Sequence, residues 1–485
     1  MRLRELLKGL PVKEVNGDIN PDIKNISFDT RKVDEASIFV CIKGINTDRH
    51  DFIDSALSKG CRAIVTEHPV SMENAVNIVV SDTNKALALI SSKFYGNPEK
   101  KLRVIGVTGT NGKTTSTTLI KKVLEDVGYK VGLIGTKDII FGDKTIPSDN
   151  TTPESPDVFR YFSEMVREKC DFAVMEVSSH SVSLDRIYGI EFEAGLFTNL
   201  TQDHLDYHGT MENYMAAKKR LFSLCRIGIV NRDDDRAGAI MEDVPCQLVT
   251  YSVRSNEGDY LARNLRHRAD GVDFELVGTG QIGRVHMQIP GQFSVYNGLC
   301  AAAACLALGM SFDRVVETLS AAAGVKGRAE VVPTGRNFTV VIDYAHTPDG
   351  LENICRTLKA CCPGRLVTLF GCGGDRDKTK RPIMGELAAR LSDYVVVTSD
   401  NPRSEQPMVI IEDILVGMRD TATPYTVVEN RGEAIHWAIA HAQPGDTLLL
   451  AGKGHETYQI LQTGTIHLDE REVVAEALAA LPTEN

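Results

Sequence analysis

The stretch GVTGTNGKTT at Gly106–Thr115 is the feature that most restricts how this chain can fold. It follows an apolar run at Val104–Val107 that predicts a strand, and it leads into Thr114–Val127, which predicts a helix closed by Gly128. A glycine-rich loop between a strand and a helix turns backbone N–H groups and the helix N-terminus toward phosphate oxygens. The sequence therefore predicts an α/β domain that binds a mononucleotide.

Individual positions of this loop have the residue types that nucleotide binding needs. Lys113 would meet the β- and γ-phosphates, and Thr114 would offer its hydroxyl to Mg²⁺. The usual pattern has a glycine where this chain has Val107, and Gly109 gives a shorter loop. The predicted nucleotide contacts are Gly109, Thr110, Asn111, Gly112, Lys113, Thr114 and Thr115. Nucleotide binding by itself does not specify a reaction.

Strands and helices continue to alternate along the chain. Further central strands are predicted at Val131–Gly135, Phe172–Val177, Ala194–Thr198 and Ile227–Val230. The last third has predicted strands at Thr339–Ile342, Leu366–Leu369, Tyr394–Thr398 and Thr447–Leu450, each followed by a polar loop. Such alternation implies parallel sheets covered on both faces. The polar loops should meet beyond the carboxyl ends of the strands, where ligands of open α/β sheets bind.

A length of 485 residues exceeds one ordinary core and suggests three domains. Turn-rich segments at Gly96–Lys100 and Gly324–Asn337 are candidate linkers. The predicted domains are residues 1–98, 99–330 and 331–485. Elements predicted in the first are apolar runs at Ser37–Ile42 and Arg62–Thr66 and a helix at Asn84–Tyr95.

Charge and composition exclude several classes of protein. The net charge is −11 without a long basic run, which argues against a surface for nucleic acid. No apolar stretch has the length of a membrane span or the form of a signal peptide, so we expect a cytoplasmic protein. The eleven cysteines are scattered without a CxxC pair, which is typical of reduced thiols.

Three polar residues of the second block are ambiguous when taken alone. Glu176 ends a predicted strand, where its carboxylate could bind Mg²⁺ or instead cap a helix or form a salt bridge. His204 alone would be read as a structural histidine. Lys218, next to Lys219 and Arg220, would be read as a lysine on a helix surface.

Nine motifs together resemble the Mur ligase family. They occur in the family's order over nearly the whole chain: TGTNGKTT, NTTPE (Asn150–Glu154), EVSSH (Glu176–His180), TNLTQDHLDYHG (Thr198–Gly209), AK (Ala217–Lys218), DYAHTP (Asp343–Pro348), GCGGDRDKTKRP (Gly371–Pro382), DNPR (Asp400–Arg403) and GKGHE (Gly452–Glu456). The resemblance is closest to the MurE branch, whose members add the third amino acid of a peptidoglycan precursor. It implies a three-domain α/β architecture with a central P-loop parallel-sheet ATPase domain and a Rossmann-like C-terminal domain.

The resemblance also implies roles in metal binding and catalysis. Thr114 and Glu176 would hold one Mg²⁺ with the phosphates of ATP, and His204 would hold a second with Lys218. In this family the lysine carries a carbamate made with CO₂ (N6-carboxylysine), which changes a cation into an oxygen ligand. The catalytic residues implied are Lys113, Glu176, His204 and Lys218.

Substrate contacts are implied by the same motifs. Those to UDP-MurNAc-L-Ala-D-Glu would be Ser27, Asn150, Thr151, Thr152, Ser178, Arg186 and Lys218. Glu154 and His180 would support them. The adenine and ribose of ATP would meet Asn297, Arg328 and Asp343. The chain departs from the family at Thr30, which is usually Ser, and at Ser294, which is more commonly Asn.

The third domain should select the incoming amino acid. DNPR resembles the version that adds meso-diaminopimelate, whose distal carboxylate a guanidinium can grip with two hydrogen bonds. The predicted contacts are Arg376, Asp400, Asn401, Pro402, Arg403, Gly452 and Glu456. The two arginines would hold carboxylate, and Glu456 would suit the distal ammonium. Taken alone, Arg403 could also be a surface arginine after Pro402.

The expected reaction is ATP-dependent amide formation through an acyl phosphate of the UDP-substrate, by a monomer. A lysine-adding MurE or, more distantly, folylpolyglutamate synthetase would share this chemistry. A mechanical or transport P-loop ATPase would need a Walker-B aspartate strand and usually an arginine finger, which the sequence does not offer. A non-enzymatic relative should lack Lys113, Glu176, His204 or Lys218, and all four are present.

Overall fold

The structure, a computed structural model, describes residues 1–482 except 45, 46, 149, 202, 269, 270, 323 and 325, and gives only the backbone of residue 206. The chain divides into two compact units. The first contains residues 1–261 and 299–315, and the second contains residues 262–298 and 316–485. The predicted domain limits at 98/99 and 330/331 are not decided by this division and stay predictions.

The first sheet of the first unit has five strands in the order β1-β5-β4-β3-β2. Its elements are α1 (Leu3–Leu7), β1 (Val12–Asn16), β2 (Asn25–Ser27), β3 (Ser37–Val40), α2 (Ile53–Ser58), β4 (Ala63–Thr66), β5 (Val76–Val80) and α3 (Thr83–Phe94). All pairs are parallel except β1 with β5. Ile38 packs with Leu87 of α3, whereas the next residue, Phe39, packs with Ile53 of α2. The strands are therefore apolar on both faces, as buried parallel strands are.

The second sheet carries the phosphate loop. Its elements as far as β14, the strand within which the chain leaves the first unit, are β6 (Arg103–Thr108), α4 (Lys113–Asp126), β7 (Val131–Ile134), β8 (Asp138–Phe141), β9 (Lys144–Pro147), α5 (Ser155–Arg167), β10 (Phe172–Glu176), α6 (Ser179–Ser183), β11 (Phe192–Phe197), α7 (Leu205–His208), α8 (Met211–Lys219), β12 (Cys225–Asn231), α9 (Ala237–Met241), β13 (Gln247–Ser252) and β14 (Tyr260–Arg268). Their order is β14-β13-β12-β11-β6-β10-β7-β8-β9, and β6 lies between β10 and β11. Since Glu176 pairs with Val107 and Phe197 with Thr108, three parallel strands end beside the loop. The predicted strand–loop–helix around Gly106–Thr115 is confirmed.

The second unit contains another parallel sheet. The elements that lie wholly or partly in this unit are β15 (Gly271–Gly278), β16 (Gln281–Met287), α10 (Gln292–Ala307), α11 (Phe312–Ser320), β17 (Glu330–Val332), β18 (Thr339–Asp343), α12 (Pro348–Lys359), β19 (Leu366–Phe370), α13 (Lys380–Leu391), β20 (Tyr394–Val397), α14 (Pro407–Val416), β21 (Tyr425–Val427), α15 (Arg431–Ala440), β22 (Thr447–Ala451), β23 (Tyr458–Leu461), β24 (Gly464–His467) and α16 (Glu470–Ala479). The parallel sheet consists of β17 to β22. The order is β17-β18-β22-β19-β20-β21, with only β17 antiparallel. The four strands predicted in the last third are confirmed, and their loops share one edge.

The chain passes between the units three times, within β14, within α10 and within α11. Residues 299–315 thus belong to the first unit although they follow part of the second. Among them, Cys300 is fully buried, and its thiol contacts Tyr251 and Ser116 of the first unit. Within the described residues, no helix is both long and apolar enough to span a bilayer.

Candidate functional site

The phosphate loop of the first unit is held by the loop after β11. Gly109 has φ +144°, and a Cβ there would lie 1.9 Å from Thr198 Oγ1, so this position requires glycine. The backbone of Thr110 donates to Asn199 O at 2.9 Å, and that of Asn111 donates to Asn199 Oδ1 at 2.9 Å. The TNLT motif therefore sets the shape of the loop from which α4 begins.

Two lysines meet at one carbonyl of this loop. Lys113 Nζ donates to Gly109 O at 2.9 Å and to Thr110 O at 2.8 Å, and Lys218 Nζ donates to the same Gly109 O at 2.9 Å. The Lys218 ammonium also lies 4.4 Å from the centre of the Tyr214 ring. Lys218 is 1% exposed, which excludes the interpretation as a lysine on a helix surface.

The electrostatic surroundings of Lys218 disfavour an ammonium. Burial first, and the charge of Lys113 second, lower the pKa of Lys218 well below its ordinary value. Among the described residues, Lys218 has no carboxylate partner within 4 Å. An unprotonated lysine amine is the form that reacts with CO₂, so this environment suits the predicted carbamate.

Glu176 lies at the end of β10 and is fully buried. Thr136 holds both of its oxygens: the backbone N–H donates to Oε1 at 2.9 Å and the hydroxyl donates to Oε2 at 2.9 Å. Sequence reasoning missed Thr136, because it lies 40 residues before Glu176 in an unremarkable loop. The contact fixes the direction of the carboxylate at the edge where β6 leads into the phosphate loop.

His204 follows the TNLT motif in a left-handed conformation with φ +51°. Its ring lies 4.8 Å from that of His180 and 6.1 Å from that of Tyr214, the residue that also packs on Lys218. The side chain of His204 is 46% exposed, and its Nε2 lies 3.4 Å from Asp203. His204 and Lys218 therefore both lie near the ring of Tyr214.

The predicted magnesium ligands fit this donor arrangement. Within the described part of the chain, no group of three or more His, Cys, Asp or Glu side chains could hold a metal. The predicted ligands do not depend on such a group, because they include the hydroxyl of Thr114 and a carbamate on Lys218, besides Glu176 and His204. Mg²⁺ prefers oxygen ligands of this kind, completed by phosphate and water.

A cavity of about 240 Å³ lies at the predicted nucleotide-sugar site of the first unit. Its wall includes Arg186, which the sequence analysis placed near the UDP-substrate, and Phe28, which follows the predicted contact Ser27. Three further polar residues of the wall were missed, since no motif marks them: Lys43, Arg49 and Asn84. Ser27 is buried beside Phe28, and its hydroxyl donates to Asp29 O at 2.7 Å.

The NTTPE loop is tied to the end of β10. The Thr152 hydroxyl donates to Glu176 O at 2.8 Å and accepts from the backbone of Ser178 at 3.0 Å. Arg186 donates to Thr152 O at 2.9 Å and pairs with Glu154 at 2.5 Å. The hydroxyls of Thr151 and Thr136 lie 3.1 Å apart, and Asn150 is exposed.

In the second unit, the predicted contacts to adenine and ribose lie on separate elements. The carboxylate of Asp343 accepts from the backbone of Ala329 at 2.7 Å and of Ala345 at 2.8 Å, and burial raises the pKa of Asp343. The guanidinium of Arg328 lies 5.1 Å from the centre of the Tyr344 ring. Asn297 is buried in α10.

The two predicted carboxylate-binding arginines both lie close to Gly373. A Cβ on this glycine would be 3.0 Å from Arg403 Nη1 and 3.8 Å from Arg376 Cγ. Arg403 has φ +53° and donates to Gly374 O at 2.8 Å, so it is not merely a surface residue after Pro402. Arg376 is exposed. The loops after β19 and β20 therefore bring the side chains of Arg376 and Arg403 to the same glycine.

The remaining predicted contacts form the floor of this site. Asn401 Nδ2 donates to Glu456 Oε2 at 2.9 Å, and a Cβ on Gly452 would lie 2.5 Å from Asp400 Oδ2. Asp400, Asn401, Pro402 and Gly452 are buried. Lys453, which sequence reasoning had not singled out, donates to both Asn401 Oδ1 and Glu456 Oε2.

A buried ion pair supports the strand ends beneath this floor. Arg431 and Glu470 are both fully buried and lie 2.8 Å apart. Arg431 also donates to Ala451 O at 2.8 Å and to Ser399 O at 3.4 Å, one residue before Gly452 and Asp400 respectively. Neither residue belongs to one of the nine motifs, and the two lie 39 residues apart in the sequence, so sequence reasoning did not find this pair.

Comparison with known proteins agrees with this arrangement. Family models match three parts of the chain: "Mur ligase family, catalytic domain" at residues 22–95, "Mur ligase middle domain" at 107–305 and "Mur ligase, glutamate ligase domain" at 327–454. A Clostridium acetobutylicum protein named UDP-N-acetylmuramoyl-L-alanyl-D-glutamate--2,6-diaminopimelate ligase 1 is 49% identical over 99% of this chain and 100% of its own. The chain belongs to the Mur ligase family.

Solved structures agree with the predicted fold. One, of a UDP-N-acetylmuramoyl-L-alanyl-D-glutamate--2,6-diaminopimelate ligase, has a TM-score of 0.75 at 31% identity and covers 99% of both chains. A Mycobacterium tuberculosis folylpolyglutamate synthase has a TM-score of 0.60 at 17% identity, covering 80% of this chain and 92% of its own, and so shares the fold alone. The predicted three-domain Mur ligase architecture is confirmed, and members of this family are ATP-dependent ligases that use Mg²⁺.

Proposed function

We propose that this ligase joins meso-diaminopimelate to UDP-MurNAc-L-Ala-D-Glu at the expense of ATP and forms the UDP-MurNAc-tripeptide of peptidoglycan synthesis. The observation that carries the substrate assignment is the pair Arg376 and Arg403 around Gly373, with Glu456 on a neighbouring loop. Two cations and one anion match an amino acid with a distal carboxylate and a distal ammonium. The relative that is 49% identical carries the name of this activity.

The first unit would activate the UDP-substrate. Lys113 and the N-terminus of α4 bind the phosphates of ATP, and the substrate carboxylate attacks the γ-phosphate to give an acyl phosphate and ADP. Mg²⁺ bound by Thr114, Glu176, His204 and a carbamate on Lys218 would neutralise the charge between these two anions. Thr136 keeps Glu176 in position for that task.

The second unit would deliver the nucleophile. The free amino group of diaminopimelate attacks the acyl carbonyl, phosphate leaves, and the new amide bond forms. Arg403 and Arg376 hold the carboxylate end, while Asn401 and Glu456 orient the ammonium end. L-Lysine has no distal carboxylate and would leave two guanidinium groups unpaired, which lowers its affinity.

The cellular setting is part of the same proposal. We expect a monomer in the cytoplasm, where ATP and the UDP-linked precursor are available. The net charge of −11 gives no surface for nucleic acid. The protein would work on three small molecules and no macromolecular partner.

The decisive experiment measures phosphate release with ATP, Mg²⁺ and UDP-MurNAc-L-Ala-D-Glu, in the presence of meso-diaminopimelate, L-lysine or no amino acid. We expect release only with diaminopimelate, together with a tripeptide product of the corresponding mass. A preference for lysine would retain the ligase and refute the assignment of the arginines. Release with glutamate and a folate, but with neither diamino acid, would favour the folylpolyglutamate alternative.

A further inference from the structure

Glu456 is bound in an asymmetric way that leaves one oxygen for a ligand. Its Oε2 accepts from Lys453 Nζ at 2.7 Å and from Asn401 Nδ2 at 2.9 Å. No described residue donates to Oε1. The carboxylate is thus fixed through one oxygen, and the other has free lone pairs.

Lys453 is the group that produces this asymmetry. Its side chain is 0% exposed, and its ammonium donates to Glu456 Oε2 and, at 2.9 Å, to Asn401 Oδ1. The same Asn401 Oδ1 accepts from the backbone of Ile460 at 2.9 Å, so the amide cannot flip without losing both bonds. One buried cation therefore orients two side chains of the amino-acid site.

The path of the GKGHE loop directs Lys453 inward. Gly452 and Gly454, on either side of it, have φ +114° and +52°. A Cβ on Gly452 would lie 2.5 Å from Asp400 Oδ2, and one on Gly454 would lie 2.6 Å from Tyr344 Cβ. Neither glycine can be replaced without moving the loop, so the two close approaches hold the lysine backbone in place.

We propose that Lys453 is a positioning residue that sets the selectivity of this enzyme for a distal ammonium group. By occupying Glu456 Oε2, it turns Oε1 toward the ammonium of the incoming amino acid. It also offsets the charge of a carboxylate that would otherwise be held among buried groups without a cation. This role rests on the proposed use of meso-diaminopimelate.

The test compares two substrates that differ in one group. L-2-Aminopimelate has the carbon chain and both carboxylates of diaminopimelate but lacks the distal amino group. For Lys453→Met, we expect kcat/KM for diaminopimelate to fall about tenfold or more, through KM, with little change for 2-aminopimelate. The KM values for ATP and for the UDP-substrate should stay as in the wild type.

Two further variants separate positioning from general stability. Arg365→Met removes an ion pair with Asp446 at the opposite ends of β19 and β22, so it should lower the unfolding temperature without changing the preference for diaminopimelate. Glu456→Gln should have the phenotype of Lys453→Met, and the double variant should be no worse than either single one. Should Lys453→Met not fold, Lys453→Gln keeps a donor without the charge and takes its place.

The results separate a failure of the role proposed for Lys453 from a failure of the proposed function. An equal loss of kcat/KM for both amino acids would make Lys453 a structural residue and overturn the proposal. Unchanged kinetics would overturn it as well. A wild-type protein that shows no turnover with diaminopimelate would instead refute the proposed function itself, before any variant is made.

Discussion

At the scale of single residues, Lys218 shows how function and stability oppose each other. The side chain is buried without a carboxylate partner beside Lys113, an arrangement that costs folding free energy until the amine is modified. Replacing it should therefore help the fold and harm the reaction.

We expect Lys218→Met, prepared without CO₂ or ligands, to unfold about 2–6 °C higher than the wild type, because an unpaired buried amine is removed. The same variant should lack activity, and Lys218→Ala should recover part of it with a short carboxylic acid. Calorimetry and the phosphate-release assay measure these effects.

Lys219→Met is the control, and a normal turnover of Lys218→Met would refute the carbamate. A ¹³C signal after addition of labelled bicarbonate, lost in the variant, reports the carbamate directly.

Arg403 gives a second prediction at this scale. Because its φ is +53°, Asn is the replacement that tolerates the backbone best. Arg403→Asn should raise the KM for diaminopimelate about tenfold to a hundredfold, since a charge-assisted bond to carboxylate is lost, and leave the KM for the UDP-substrate unchanged. Initial rates with varied diaminopimelate measure this. Arg390→Met, at an exposed ion pair of α13, should change neither value.

Some residues of the candidate site could be predicted from sequence motifs, and others could not. Motifs located Lys113, Glu176, Lys218 and Arg403, because short functional loops keep their residues adjacent in the chain. They did not reveal Thr136, since a contact across 40 residues leaves no periodic pattern. The burial of Lys218 was likewise invisible, because AAKKR reads as an ordinary helix surface until packing is known.

At the scale of elements, the loop after β19 depends on one carboxylate. Glu405 accepts from the buried Arg381 at 2.8 Å and from the backbone of Asp375 at 2.7 Å, next to Arg376. The hydrogen bonds from Arg381, followed by the one from Asp375, lower the pKa of Glu405 from 4.5 to about 2. This carboxylate therefore anchors the loop that presents Arg376.

The lowered pKa predicts a dependence of stability on pH. In the unfolded chain Glu405 takes up its proton near pH 4.5, whereas the folded protein keeps the carboxylate down to about pH 2. Its contribution is therefore complete above about pH 5 and is lost as the pH falls from 4.5 to about 2. Urea unfolding should show Glu405→Gln less stable than the wild type at pH 6, with a smaller difference at pH 3.

The same variant has a functional readout. Glu405→Gln should raise the KM for diaminopimelate about threefold to tenfold, since the loop of Arg376 loses a charged anchor. Glu386→Gln, at a surface pair of α13, serves as the control for both measurements. An equal difference in stability at pH 6 and pH 3 would contradict the assignment of the low pKa.

Elements differed in how well the sequence predicted them. Strands such as β6, β10, β19 and β22 are mainly apolar, because they are buried on both faces, and the predictions fell within two residues of their limits. The strands β14, β15 and β16 were not predicted. Their exposed faces interrupt the apolar pattern; in β16, only Val285 and Met287 are buried.

At the scale of the whole molecule, the net charge of −11 opposes the approach of anionic substrates. On the wall of the 240 Å³ cavity, Lys43, Arg49 and Arg186 outnumber the one carboxylate, Glu154, and provide a local positive region against this background. Attraction of this kind is screened by salt, unlike the contacts of buried groups.

We therefore expect the KM for UDP-MurNAc-L-Ala-D-Glu to rise about threefold to tenfold between low salt and about 0.3 M NaCl. Arg49→Gln should raise this KM at low salt and weaken its dependence on salt, while the KM for diaminopimelate stays the same. Arg167→Gln, a change at an exposed position of α5, should keep the salt dependence of this KM that the wild type shows. If the dependence of this KM on salt were the same in Arg49→Gln as in the wild type, Arg49 would not contribute to binding of the UDP-substrate.

The three crossings between the two units have a consequence for synthesis on the ribosome. Residues 299–315 complete the unit that carries the phosphate loop, and Cys300 contacts Tyr251 and Ser116 there. A nascent chain that has emerged only as far as Leu261 lacks this segment and exposes the apolar surface it covers. The order of translation thus delays completion of the unit that carries the phosphate loop until Val315 has left the exit tunnel, when residues 262–298 are already outside.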